Sequence, residues 1–163
     1  MLTAPEIPTH FAPSSKVWIY QSDRPFSIDE QQEIAPMLKA FAKQWTAHNQ
    51  QLDAVGLLFG GRIILLIVDE TRAGASGCSI DTSVHFIKDL EQKFGVHLFD
   101  RNIVNYIKDN SIHTSALQNL QALLEAKDIQ LDTIVVDPLV SSKAQLEDQF
   151  LVTLEQSWMR QFI

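Results

Sequence analysis

The sequence predicts an α/β chain: an α+β sandwich with a ferredoxin-like β-α-β-β-α-β centre and a C-terminal helix-strand-helix extension. Three observations predict it. Ile63–Val68 is an unbroken aliphatic run, apolar on both faces, as a central strand covered on both sides requires. Gly60-Gly61 separates it from a second apolar run, and two glycines there signal a hairpin, because a type I′ turn needs positive φ at both positions. Apolar residues at helical spacing occur on either side of this hairpin, at Ile34–Trp45 and at Ser83–Phe94.

In order, residues 1–15 carry Pro5, Pro8 and Pro13 with little periodicity and read as a flexible arm. Residues 16–163 read as one globular domain. Lys16–Ser22 is rich in aromatic and β-branched residues and predicts a strand. After a turn at Asp23–Pro25, Ser27-Ile-Asp-Glu30 is a capping box, opening a helix with a stripe at Ile34, Leu38, Phe41 and Trp45. Pro36 inside it should kink or restart it. Leu52–Phe59 and Arg62–Asp69 are the hairpin strands. Ser79 is the expected cap of a helix over roughly 80–94, buried along Ser83, Phe86, Ile87, Leu90 and Phe94 and stopped by Gly95. Val96–Phe99 or Asn102–Ile107 supplies the next strand. A helix near Ser115–Ala126, a strand at Thr133–Val136 and a helix from about Ser142 complete the chain. A ferredoxin-like sheet leaves one face open. The two-sided central strand therefore predicts a cover, made by the C-terminal third or by a second copy.

Composition narrows the class. Of 163 residues, 45% are hydrophobic and 20% charged, which fits a folded globular chain rather than a disordered one. Thirteen Lys+Arg against 20 Asp+Glu give a charge of −7 with no basic cluster, so neither nucleic acid nor an anionic membrane is an expected partner. No apolar run is long enough for a bilayer. The start has neither a basic flank nor an apolar core, so a secretory signal is not expected. One cysteine forms no internal disulfide. The expected location is the cytoplasm.

The strings Val17-Trp-Ile-Tyr-Gln-Ser22, Trp45-Thr-Ala-His48, Val68-Asp-Glu-Thr71, Gly74-Ala-Ser-Gly-Cys-Ser-Ile-Asp81, Leu98-Phe-Asp-Arg101 and Ser157-Trp158 resemble an uncharacterised family of bacterial hypothetical proteins. The resemblance runs over almost everything after the arm. Members of that family are sometimes labelled ABC-transporter ATPases. Gly74–Ser79 lacks the Gly-Lys-Ser/Thr ending with which a P-loop holds phosphate and Mg²⁺, and no signature loop follows. The resemblance implies no activity, cofactor or functional residue.

Chemistry is best sought at Asp69–Ser83, where a strand gives way to a small-residue loop and a helix N-terminus. Such a place can offer backbone N–H groups to an anion and can favour a thiolate. The candidate ligand-binding residues are Arg72, Gly74, Ser76, Gly77, Ser79 and Asp81, and the candidate catalytic residue is Cys78. The plainer alternatives are a tight connection that needs its glycines and a small structural thiol. Asp69, Glu70, Asp81 and Asp100 match no metal-loop spacing, and His10, His48, His85, His97 and His113 have no zinc spacing, so no metal is expected. Trp18, Tyr20, Trp45 and Trp158 either line a pocket or interface or pack the core.

The functional expectation is a non-catalytic module that binds a small anionic ligand or a protein through Arg72–Ser79, with a homodimer as its expected assembly. The alternative is a Cys78-dependent enzyme or thiol redox sensor, with Ser79 assisting an oxyanion and a histidine as base. A purely structural scaffold is the third. Whether the chain is an enzyme stays open, and no cofactor is named.

Overall fold

A computed structural model describes residues 2–163. The elements are β1 (Lys16–Gln21), α1 (Ile28–Gln44), a small ribbon of β2 (Thr46–Ala47) and β3 (Gln50–Gln51), β4 (Asp53–Phe59), β5 (Ile63–Asp69), α2 (Gly77–Phe94), β6 (Ile103–Lys108), β7 (Ser111–Ala116), α3 (Leu120–Glu125), β8 (Ile134–Val136), α4 (Lys143–Gln149) and β9 (Leu151–Thr153). A 3₁₀ turn over Trp158–Phe162 ends the chain. The class is mixed α/β with antiparallel sheets.

Local chemistry explains the boundaries of the first half. Ser27 and Glu30 form both halves of the capping box at the start of α1. Gly60 and Gly61 have φ of 60° and 70°, as the hairpin between β4 and β5 requires. Gly95 ends α2 in the left-handed conformation, φ 62°. Pro36 does not divide α1, which continues through it to Gln44.

Glu30 ties two helices together. Arg24 grips its carboxylate with both guanidinium nitrogens (2.8 and 2.9 Å) and also donates to the Phe94 carbonyl at the end of α2. The Arg24 hydrogen bond, with one from the Ser27 backbone, pulls Glu30 down from 4.5 to about 2. A carboxyl depressed on folding contributes stability above its unfolded value and loses it as pH falls toward its folded value. Between pH 4.5 and 2 the urea midpoint of the wild-type chain should therefore fall more steeply than that of Glu30→Gln. Parallel acid limbs would remove Glu30 from the account.

The first sheet has the order β1-β5-β4. Its even-numbered face, with Ile64, Leu66, Val68 and Tyr20, packs on Ile34 and Leu38 of α1 and Ile87, Leu90 and Phe94 of α2. Its odd-numbered face, with Val17, Ile63, Leu65 and Ile67, packs on Phe11, Val136, Val140, Leu146 and Phe150. Every residue of β5 is buried, as its two-sided composition predicts. The cover on the second face belongs to the same chain: it is the C-terminal third, joined by the N-terminal segment. Leu2, Ile7 and Phe11 of that segment lie against this core, and the buried Lys143 ammonium donates to the Phe11 carbonyl (2.8 Å).

The second sheet has the order β7-β6-β8-β9. Ile112, Val136 and Leu151 join the core shared with the first sheet, while Val104, Tyr106 and Val135 pack on Leu120, Leu154 and Met159. Buried Asn105 bridges the sheets, donating to Gln21 of β1 (2.7 Å) and accepting from Thr114 (2.5 Å).

Two expectations need correction. The strand expected at Asn102–Ile107 forms as β6 but joins the second sheet, so no four-stranded ferredoxin-like sheet closes around β1. The front of the helix expected at Ser115–Ala126 is instead β7, turned back on β6 through Asp109 and Asn110, both at positive φ (52° and 60°). In the C-terminal part α3, β8 and α4 follow in helix-strand-helix order, and a further strand, β9, comes after α4 and pairs with β8.

Candidate functional site

The loop after β5 is built, but its donors are already in use. Glu70 folds back so that its Oε2 accepts from the Ala75 N–H (2.8 Å). Gly74 permits this, since a Cβ there would lie 2.9 Å from the same oxygen. Lys16 Nζ stands 3.5 Å from the other carboxylate oxygen. Asp69, ending β5, accepts from the Thr71 N–H, and that bond holds its carboxyl below the usual range.

The cap of α2 is Ser76 rather than Ser79. Ser76 Oγ accepts from the Ser79 N–H (3.2 Å), and Ser79 Oγ accepts from the Ser76 N–H, a reciprocal box three residues upstream of the expected cap. The helix therefore begins at Gly77. Cys78 falls inside its first turn, and Asp81 falls beyond it.

Arg72, Gly74, Gly77, Cys78 and Asp81 are exposed, and Ser79 is buried. Three of the N–H groups an anion would seek thus bond Glu70, Ser76 and Ser79. Among the described residues no imidazole bonds the Cys78 sulfur; His10 meets Asp53 and His113 meets Ser111 instead. No three His, Cys, Asp or Glu side chains gather among the described residues as a metal ion needs.

A different site lies on the other side of α2's first turns. A groove of about 570 Å³ follows the outer edge of β1. Trp18 and Tyr20 on its helical side meet Ile80 and Val84 of α2 and the extended segment Leu98–Arg101. On the opposite side Val17 and Ile19 meet Pro138–Ser141 and Trp158. Phe99, 40% exposed and stacked edge-on to Tyr20 at 5.4 Å, forms one rim; Leu139, 60% exposed, forms the other. Burial pushes the Tyr20 phenol above its ordinary pKa, with Ser83 opposing.

The floor of the groove is unpaired backbone. Ser22 donates to the Arg62 carbonyl (2.9 Å), so even-numbered residues of β1 turn their N–H and C=O toward β5 and odd-numbered ones turn theirs outward. The outward row is closed at both ends. Val17 N–H donates to Ser141 (3.1 Å), next to an antiparallel bridge between Lys16 and Ser142. Asp23 N–H donates to His97 (3.1 Å). Between them, among the described residues, nothing in the chain bonds the outward groups of Ile19 or Gln21. One buried side-chain donor of the lining lacks an acceptor, the indole N–H of Trp158. Gln21 accepts from Asn105 through Oε1, which leaves its Nε2 to solvent.

Trp18, Tyr20 and Trp158 line this groove, whereas Trp45 is buried behind Trp18. Ile19, Gln21, the Leu98–Arg101 rim and the Pro138–Ser141 rim were not legible as site residues. The usable signal was the choice of two candidate strands after α2: if the second joins another sheet, β1 is left open.

This chain matches no family model, no curated protein and no solved structure. Among the described residues no helix is long and apolar enough to cross a membrane.

Proposed function

We propose that this chain is a non-catalytic protein-interaction module, and that it takes one extended segment of a partner protein along the open edge of β1 by strand addition. The observation that carries this reading is the outward row at Val17, Ile19 and Gln21, stopped at one end by Ser141 and at the other by His97. Unpaired backbone groups under apolar walls are costly unless something satisfies them. A strand satisfies them all at once.

In this reading the first sheet with α1 and α2 is a ferredoxin-like centre whose fourth-strand place is left for the partner. Three strings that carry the resemblance to the bacterial family, Val17–Ser22, Leu98–Arg101 and Ser157-Trp158, build β1, one rim and part of the wall. That coincidence supports extending the same reading to that family.

The occupant is a peptide segment rather than a second copy. From Val17 to Gln21 the open edge is about 13 Å long, set between exposed rims. A stable dimer buries roughly 800 Å² on each partner, which an edge so short and recessed does not offer. Anion capture at Arg72–Ser79 is less favoured, because Glu70, Ser76 and Ser79 hold three of its donors.

The test is titration with short capped apolar peptides, followed through amide resonances. Ile19 and Gln21 should shift first and most, and Arg72–Ser79 should stay still. Shifts spread evenly over the surface, or none at millimolar peptide, would end the reading.

A further inference from the structure

We infer that the strand accepted here runs antiparallel to β1 and carries a hydrogen-bond-accepting side chain followed, toward its C-terminus, by three consecutive apolar residues. This rests on the strand-addition reading and adds direction and sequence to it.

Direction follows from the sheet and from the slot's own end. Both ladders of the first sheet are antiparallel, and so is the bridge from Lys16 to Ser142 that closes the slot at the Val17 end. An incoming strand continuous with that bridge enters beside Gln21 and leaves beside Val17. The residue opposite Ile19 then exchanges two backbone hydrogen bonds with it, because both of Ile19's groups point outward.

Residue types follow from the walls. Directly opposed residues in an antiparallel pair share a face. The side chains opposite Tyr20 and Trp18 therefore fall on the helical side, among Ile80, Val84, Leu98 and Phe99. The side chain opposite Ile19 falls on the other side, against Leu139, Val140 and Trp158. All three surroundings present apolar surface, the Trp158 indole N–H being buried beneath it, so alternating polarity is rejected and an unbroken apolar triplet fits. The position opposite Gln21 differs. Gln21 lines the groove, its Oε1 is committed to Asn105, and its Nε2 makes no hydrogen bond within the chain and keeps its contact with solvent. An Asn, Asp, Ser or Thr there supplies the missing acceptor. The lining's unpaired side-chain groups are donors, and its ionisable rim residues, Asp100 and Arg101, cancel in charge. Nothing in the lining calls for a charged triplet.

The experiment uses four capped peptides on the full chain, with affinity read by tryptophan fluorescence and site by the Ile19 and Gln21 amides. They are Ac-Asn-Val-Ile-Val-NH₂, its reversal Ac-Val-Ile-Val-Asn-NH₂, the Leu-for-Asn analogue of the first, and the first with its Ile nitrogen methylated. The Asn-first peptide should bind tightest. Losing the acceptor should weaken it roughly three- to tenfold, the value of one hydrogen bond, and reversal at least as much. N-methylation, which removes the donor to Ile19, should reduce binding below detection. Equal affinity for the first three peptides, with shifts still at Ile19 and Gln21, would overturn the inference and leave strand addition standing. No shift at those amides with any peptide would overturn strand addition itself. If they shift with protein concentration alone, a second copy is the occupant and both readings fall.

Discussion

Trp45→Ala should lower the unfolding free energy by about 3–5 kcal/mol, the cost typical of deleting a buried large aromatic. Trp45 is 2% exposed and sits where three elements converge. Its ring packs on Phe41 of α1 (5.1 Å) and edge-on to Trp18 of β1 (5.7 Å), and its indole N–H donates to the buried Ser79 carbonyl of α2 (2.8 Å). Truncation therefore leaves a cavity and takes a donor from the first turn of α2. For a chain of this length the melting temperature should fall by roughly 6–20 °C. Trp45→Phe separates the parts: it keeps most of the packing and loses the hydrogen bond, about 0.5–1.5 kcal/mol. Calorimetry on both variants checks the claim. A loss under 1 kcal/mol in Trp45→Ala would mean that the core closes over the site without it.

Ile19→Pro should abolish peptide binding while leaving the fold in place. Proline removes the backbone N–H and is tolerated in sheets only on edge strands whose N–H faces outward. Ile19 meets that condition, because its backbone groups take no part in the ladder to β5. The ring also places carbon where a partner carbonyl would sit. Tyr20→Pro is the contrast, since an even-numbered residue donates inward and its loss breaks the pairing with Ile64. The pair of variants thus distinguishes the two sides of one strand. The expected readout for Ile19→Pro is an unchanged circular dichroism spectrum with peptide affinity lost at least a hundredfold. Binding retained in a folded Ile19→Pro protein would dismiss the β1 edge as the site.

Much of the frame was legible because local chemistry specified it. Ser27 with Glu30, the Gly60-Gly61 pair and Gly95 each act within a few residues, and each sits where pattern reading places it. Pattern reading starts α2 three residues late because Ser76 and Ser79 are both plausible caps, and the loop that Glu70 folds places Ser76 at the helix start. β7 is not legible because Ser-Ile-His-Thr-Ser-Ala has little strand composition. It is a strand because Asp109-Asn110 turns it onto β6, a tertiary reward that propensity does not contain. The groove was illegible for a deeper reason. Its existence depends on which sheet β6 joins, and its walls come from five segments spread between Val17 and Trp158. The aromatic residues at Trp18, Tyr20 and Trp158 could be grouped as candidates, but no spacing rule brings them together.

The cover over the first sheet has a consequence for how the chain is made. The odd-numbered side chains Ile63, Leu65 and Ile67 are synthesised long before Leu146 and Phe150, which lie against them. At ribosomal rates of roughly 5–20 residues per second, the interval from Asp69 to Phe150 is about 4–16 s. Through that interval the sheet presents one aliphatic face to whatever surrounds the nascent chain. Of the residues that cover this face in the folded chain, Phe11 precedes it in synthesis, while Val136, Val140, Leu146 and Phe150 all follow it.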